Sequence, residues 1–554
     1  MRVDQLLQEV IHVHGRGRAI ALRCDDGLSL TYSDLDARVS AVAASLRALG
    51  LRRGQRVVLV GEGGVDVVVL LLAAIRAGAC AVPLSSRMSV SEVLAICAHC
   101  EPQFIYFSTR LSTDAALHAA CRPGDPASEL VFEDGLLAVA QASEWCTDDA
   151  CDSAQNVAVV IYTSGTTGDP RGVMLSHANL EFVTGVSLQQ EVLLPSDKIF
   201  HALPLAHAYG LISALLCGLR AGAEILLLAR FSAERLARAL LHEDITVFQG
   251  VPAMYARLFE WASETGTALK PNRLRMLYIG GSQIDAIRKA QTEDLLGVPL
   301  HHGYGLTESA PAATRTFGHP PPTDVTAGWP IPGVQVSLRD ALGCSVPQGE
   351  RGEIWIRGPN VMKGYFRDPA QTRQAIDPDG WLHSGDVGVF GPQGDLSVVG
   401  RIKEMIICGG FNVFPAEVEK VIATWPDVAQ CAVVGQACAG DEEVVAFVEP
   451  MAGRVVDVPA LQRHLRQRLT PYKLPKRIEV LDRLPASSTG KILKTALKQR
   501  ASGKESDPAA VPADPADPGE RFYVVGERSD HNPQFTEGWS RSSRGDSDEP
   551  SRAR

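Results

Sequence analysis

The sequence predicts an α/β fold: a large N-terminal domain of parallel-rich sheets flanked by helices, then a β-rich subdomain, then a small α+β C-terminal domain. Three observations carry the prediction. At 554 residues the chain exceeds what one hydrophobic core usually holds. In its first half, short apolar runs alternate with helix-length segments, the pattern of parallel strands with helices on both faces. After about Gly318, and again after about Lys403, the spacing of the runs changes.

The elements follow in order. "QRVVLVG" (55–61) reads as a strand, the apolar helix-like stretch 65–77 as a helix, and "CAVPL" (80–84) as a second strand. The run Val67–Ile75 is too short to cross a bilayer and is followed by Arg76, so no membrane span is expected. "FIYFS" (104–108), "VAVVIYTSG" (157–165), "AEILLL" (223–228) and "RMLYIGG" (275–281) repeat the strand theme. The Pro-rich "GHPPPTD" (318–324) then opens a stretch dominated by short strands: "VQVSLRD", "GEIWIRG" and "GDLSVVG". Beyond it, "FPAEVEKVIATW" is an amphipathic helix with Pro415 near its start, where proline is tolerated. "VAQCAVVG" and "EEVVAFVEP" read as strands, "VPALQRHLRQRL" as a helix and "RIEVLDRLP" as a last strand. The expected division is 1–402, 403–500 and a tail 501–554, whose Pro/Ala/Asp and Ser-rich composition predicts disorder.

Bulk properties exclude some functions. A net charge of −10 argues against non-specific nucleic-acid binding, which needs a basic surface. The start, "MRVDQLLQEV", lacks the apolar core of a secretory signal. The 12 cysteines are scattered, and "CAHC" (97–100) has no second ligand pair at zinc spacing. They are read as reduced thiols of a cytoplasmic protein, the close pair lying on a helix face.

The segment "YTSGTTGDPRGV" (162–173) carries the first chemical signal. Backbone N–H groups of a Gly/Ser/Thr loop can converge on anionic oxygens. Gly165 and Gly168 permit close approach, Thr163, Ser164, Thr166 and Thr167 add hydroxyls, and Arg171 adds a cation. Such a loop suits a polyphosphate, although it lacks the Gly-Lys-Ser/Thr ending of a P-loop. As the loop follows an apolar strand, it is expected at the carboxyl end of a parallel sheet, where ligands bind in open α/β folds.

As a whole, the string resembles the signature of the adenylate-forming superfamily, which includes acyl-CoA synthetases, AMP-dependent ligases, luciferases and nonribosomal adenylation domains. Ten of eleven specified positions match; Arg171 stands where the family usually has Lys. "YGLTES" (304–309), "GWLHSGDVG" (380–388), "GRIKEMIICGGFNVFPAEVE" (400–419) and "PASSTGKILK" (485–494) match the same family in order. The resemblance is strongest to fatty acyl- and aryl-CoA ligases.

The resemblance implies ATP, Mg²⁺ and CoA, or a phosphopantetheine arm, as cofactors. It implies that Tyr304 stacks on adenine, Thr307 bonds the α-phosphate and Glu308 binds Mg²⁺, a cation that takes hard oxygen ligands. Gly280, Gly281, Ser282 and Gly303 would pass close to the nucleotide or the acyl group, and His302 would face the adenine amino group. Asp386 and Arg401 would grip the ribose. Lys491 would bridge the substrate carboxylate and the α-phosphate, offsetting charge as pyrophosphate leaves. His207, in "LPLAHAYG", would border the acyl pocket or the thiol path. That segment offers no Asp for an amino group, which argues against an α-amino acid.

The C-terminal domain would be a mobile lid turning about Lys403, removing Lys491 and presenting Gly409, Gly410 and Phe411 to the pantetheine arm. Lys473, Lys476 and Arg477 are candidates for a nucleotide-binding patch for CoA. The acyl pocket is expected to be lined by Tyr209, Val251, Pro252, Ala253, Gly280, Gly303, Gly305, Pro311 and Ala312, all apolar or small and without fixed charge. An apolar acid is therefore expected. Gly303 and Gly305 could leave a channel for a chain, which favours a fatty acid over an arylcarboxylic acid. CoA is the expected acceptor. The alternatives are an acyl-AMP ligase that loads an acyl carrier protein, and an inactive scaffold of the same fold.

Overall fold

The computed structural model describes residues 3–121, 129–132, 135–139, 157–164, 170–282, 284–317, 325–408, 410–438, 441–451, 453–486 and 492–503. Two large sheets form the N-terminal part. One has eight strands, with Arg56–Gly61 between Cys80–Ser85 and Phe104–Phe107, parallel to both. The other has nine and runs from Trp329–Pro330 at one edge to Ser29–Thr31 at the other. Its centre, Leu300–Tyr304, Met276–Ile279, Val247–Gly250, Lys198–His201 and Glu224–Leu227, is parallel throughout. Both faces of such sheets are covered, so their strands read as near-continuous apolar runs.

The stretch after "QRVVLVG" is the helix Val65–Arg76, in which every residue from Val65 to Ile75 is buried. A helix apolar on all sides belongs in a core, and residues of this one join residues of both sheets in one hydrophobic cluster. No helix among the described residues is long and apolar enough to cross a membrane.

One element departs from the expected pattern. Val157–Ser164 is parallel to Cys80–Ser85 on one side but antiparallel to Pro170–Ser176 on the other. Val157–Ser164 and Pro170–Ser176 are thus the two arms of an antiparallel pair, and 165–169 between them lie outside the described residues. Arg171 lies within the returning strand, directly opposite Thr163.

The β-rich unit is a four-stranded antiparallel sheet: Gln335–Arg339, Arg351–Arg357, Leu382–Phe390 and Leu396–Arg401. The C-terminal unit pairs Val428–Cys438 with Asp441–Pro450, and the latter in parallel with Arg477–Val480. Helices Pro415–Ile422, Val458–Arg466 and Lys494–Ala501 accompany this sheet, and Pro415 occupies the first turn of its helix as expected. Arg351 of the β-rich sheet pairs with Glu417 of the first of these helices. The tail from 504 lies outside the described residues.

The "CAHC" pair sits on helix Val90–Cys100, with Cys100 buried and Cys97 half-buried. Burial pushes the Cys97 thiol up to about 12, so it stays protonated. His99 Nδ1 lies 2.7 Å from the Tyr162 hydroxyl. Among the described residues no cluster of His, Cys, Asp or Glu is suited to a metal. Cys100 and Cys97 pack in the apolar cluster of the eight-stranded sheet.

Candidate active site

A cleft of about 3630 Å³ runs between the sheet ends, the β-rich unit and the C-terminal unit. Three groups of side chains meet in it.

The first group surrounds Glu308. The one-turn 3₁₀ helix Thr307–Ser309 follows the end of strand Leu300–Tyr304. Ser309 Oγ accepts from Leu306 N–H at 2.9 Å, and Asn360 Nδ2 donates to Ala312 O at 2.7 Å, which fixes the turn. Glu308 Oε1 accepts from the Tyr365 hydroxyl at 3.0 Å. Burial, then the Glu308 carboxylate, raises the Tyr365 pKa, so the phenol remains a donor. The Arg171 guanidinium stands 5.9 Å from the centre of the Tyr365 ring. Thr163, Arg171, Tyr365 and Glu308 therefore face one region of the cleft.

The second group is a bridge. The Tyr304 hydroxyl donates to Asp386 Oδ2 at 2.8 Å, and Arg401 Nε lies 3.0 Å from Asp386 Oδ1. Asp386 and Arg401 are cross-strand partners in the β-rich sheet, so their side chains share a face. The Ser384 hydroxyl accepts from Asp386 N–H at 3.0 Å and holds the bend. The β-rich unit thus delivers a carboxylate and a guanidinium to the last residue of a strand in the nine-stranded sheet.

The third group lines the acyl side. Tyr209–Leu216 is π-helical, a rare geometry that recurs at functional sites. A Cβ at Gly210 would lie 2.5 Å from Pro204 O, so only glycine fits there. His201 Nε2, 2.9 Å from Gly210 O, further fixes the segment. His207 Nε2 is buried without a hydrogen-bond partner, and burial lowers the ring's pKa to about 4. The imidazole is therefore neutral at ordinary pH. The Tyr209 ring lies against Gly280, whose Cβ would be 3.1 Å from the ring. The Tyr209 hydroxyl donates to Tyr278 O at 3.2 Å. Gly281 has φ +76°, and Val251 lies beside it. His302 is buried in its strand with Nδ1 unpartnered, and burial lowers its pKa.

One expectation fails here. The space beside Gly303 is filled by the Tyr278 hydroxyl, 2.0 Å from a Cβ placed there. That beside Gly305 is filled by Pro311 O, at 1.8 Å. These glycines serve close packing and open no channel, so the argument for a fatty chain falls. Arg315 lines the same cleft as Tyr278. Sequence reading missed Arg315, Tyr365 and the π-helical turn. A lone cation in the apolar context "AATRTF" was the one available signal for the first.

Toward the C-terminal unit, Lys403 is exposed in the turn Ile402–Glu404. Lys494 Nζ lies 2.8 Å from Glu404 Oε2 and 2.9 Å from Glu419 Oε1, tying the last helix to that turn. Gly410 has φ +78° with open space around it. Phe411 is 55% exposed and stacks on Tyr472 at 4.5 Å. Lys473 pairs with Glu417 at 2.6 Å and Arg477 with Glu479 at 3.2 Å, so neither is an unpaired basic group. Gly165, Thr166, Thr167, Gly168, Gly409 and Lys491 lie outside the described residues, as does the side chain of Ser164. Ser282, Pro252, Ala253, Pro311 and Ala312 line the cleft as expected.

Comparison with known proteins bears on this arrangement. Residues 10–366 match the family described as AMP-binding enzyme, and 417–491 match the AMP-binding enzyme C-terminal domain. A feruloyl-CoA synthase of an Amycolatopsis species is 36% identical over 477 residues, 86% of this chain and 94% of its own. An indoleacetate–CoA ligase of Aromatoleum aromaticum is 33% identical over 491 residues, with the same coverages. Among solved structures, ATP-bound MatB from Rhodopseudomonas palustris superposes with a TM-score of 0.77 at 29% identity, over 90% of this chain and 99% of that one. The o-succinylbenzoate CoA synthetase of Bacillus subtilis, in complex with its acyl-adenylate, gives 0.72 at 26% identity, over 89% and 98%.

Proposed function

The chain belongs to the AMP-binding enzyme family, and from that premise we propose that it activates an aromatic carboxylic acid with ATP and passes the acyl group to CoA. It is an acid–thiol ligase. In the first half-reaction a carboxylate oxygen attacks the α-phosphorus of ATP. An acyl–O–P bond forms and the bond to the β-phosphate breaks, releasing pyrophosphate. In the second, the CoA sulfur attacks the acyl carbon, the C–O bond to phosphate breaks and AMP leaves with the thiol proton passing to solvent. Positioning and electrostatics suffice for both steps.

The observation that carries this reading is the Tyr304–Asp386–Arg401 bridge beside Glu308–Tyr365 in one cleft. Asp386 and Arg401 hold the ribose, and Tyr304 presents its ring to adenine. Arg171 and Thr163 face the phosphates from the hairpin. Glu308 offers hard oxygen, held in place through one atom by Tyr365, which fits Mg²⁺. When bound, Mg²⁺ would neutralise phosphate charge. Neutral His207 borders the reacting carboxylate without adding a charge that would compete with Lys491. The boundary between a nucleotide-holding part and a turning C-terminal part is placed after residue 402, with Lys403 as hinge.

An aromatic acid is favoured over a fatty acid by the packed glycines 303 and 305 and by the tyrosine walls at 209 and 278. The relatives named for feruloyl-CoA synthesis and indoleacetate–CoA ligation support the same class. The test is ATP–pyrophosphate exchange across cinnamic, arylacetic and fatty acids, followed by mass spectrometry of acyl-CoA after adding CoA. Exchange and thioester with aromatic acids are expected. Exchange confined to fatty acids, or to none, would refute the reading.

A further inference from the structure

The acyl side of the cleft holds a cation with no assigned partner. Arg315, in strand Thr314–Arg315, is the antiparallel partner of Gly303. Cross-strand partners project to the same face, and Gly303 contributes no side chain to that face. The Tyr278 hydroxyl occupies the space beside Gly303. Arg315 and Tyr278 thus flank one spot. Cys217 is the third group in electrostatic reach of the guanidinium. It immediately follows the π-helical segment, at the opposite end from His207 and Tyr209. The guanidinium therefore lies toward the end of that segment remote from His207 and Tyr209.

Among the described residues, Arg315 Nε and Nη2 are buried and have no hydrogen-bond partner. The nearest ionisable groups are a tyrosine and a cysteine, neither a carboxylate, and burial lowers the guanidinium pKa. Arginine nevertheless keeps its charge in proteins. Two buried guanidinium nitrogens without an acceptor are costly, and a ligand oxygen would remove that cost. Gln249 and Ser213 line the same cleft and add polar character near this end.

Resting on the aromatic-acid ligase reading above, we propose that Arg315 is a specificity residue: the acid carries a second acceptor oxygen remote from the carboxylate that is adenylated. A carboxylate, a carbonyl or a phenolic oxygen shares this chemistry. The guanidinium's planar fork meets such oxygens side-on, which an apolar pocket wall cannot do.

The test compares cinnamate, 4-hydroxycinnamate and 4-carboxycinnamate with the wild-type enzyme, Arg315→Met and Arg315→Lys. Wild type is expected to favour at least one oxygenated acid over cinnamate by about 10- to 100-fold in kcat/KM. Arg315→Met should collapse that ratio, and Arg315→Lys should restore part of it. The hydroxy and carboxy arms separate a neutral acceptor from an anion. An unchanged ratio in Arg315→Met overturns the proposal. Calorimetric binding of the matching acyl-sulfamoyl-adenosines reads the same preference without turnover. Arg315-dependent discrimination without exchange upholds Arg315 and sinks the ligase reading, whereas exchange without that discrimination does the reverse. Thermal unfolding without ligand adds a control. Arg315→Met should match or exceed wild type, because it removes an unpaired buried charge. A large fall in melting temperature together with an unchanged ratio makes Arg315 a structural strut and overturns the proposal.

Discussion

Asp386→Asn separates a nucleotide-binding role from an architectural one. In the protein, Asp386 accepts from Tyr304 at 2.8 Å and faces Arg401 at 3.0 Å. The Tyr304 bond is charge-assisted and buried, worth about 1.5–3 kcal/mol, and an amide acceptor would retain roughly half of that. The Arg401 side chain is 47% exposed, so its ion pair contributes at most about 1 kcal/mol. The bridge alone should therefore cost roughly 1–2 kcal/mol of stability. If the same carboxylate also accepts from ribose hydroxyls, losing its charge removes about 2 kcal/mol more from ATP binding. That corresponds to roughly 30-fold in affinity. Calorimetric titration with ATP and a denaturant melt measure the two effects separately. Stability lowered as expected, with ATP affinity within about twofold of wild type, would refute the ribose assignment and leave Asp386 as an internal strut.

The remaining predictions concern protonation, the hairpin cation and the clamp on the last helix. Burial lowers the pKa of His207 to about 4 and also lowers those of His201 and His302, so below the ordinary histidine value of 6.5 the unfolded chain binds more protons than the folded one. Stability is therefore full above about pH 6.5 and falls as pH drops toward 4, by about 3 kcal/mol from His207 alone. A melting temperature that stays flat from pH 7 to 4.5 would contradict this. Arg171→Lys exchanges a planar fork near Tyr365 for a flexible point charge. It should retain acid-dependent pyrophosphate exchange while changing the KM for pyrophosphate several-fold. Abolished exchange would mean the hairpin is built around the guanidinium. Lys494→Met leaves Glu404 and Glu419 facing each other without their cation and should cost about 2 kcal/mol. Because Lys494 lies three residues beyond Lys491, adenylate formation should fall more than thioester formation from a preformed acyl-adenylate. Equal losses in both steps would reduce the clamp to a stabilising contact.

Much of this molecule is legible in its sequence because the relevant signals are local. Apolar runs bounded by glycine and proline mark the strands of both large sheets. A largely apolar stretch marks the helix Val65–Arg76, whose residues from Val65 to Ile75 are all buried. The motif residues Tyr304, Glu308, Asp386 and Arg401 are recognisable from their neighbours in the chain. Their convergence is not, because Asp386 reaches Tyr304 across 82 residues and Tyr365 reaches Glu308 across 57. Tertiary packing alone decided what the glycines do. Read in one dimension, Gly303 and Gly305 suggest open space, but in the fold a tyrosine hydroxyl and a carbonyl oxygen occupy it. It likewise set Arg171 opposite Thr163, because strand Pro170–Ser176 returns antiparallel beside Val157–Ser164. Arg315 shows the same limit. Its charge is written in the sequence, but its burial beside Tyr278 and Cys217 is set by register across a sheet and by a helix almost a hundred residues away.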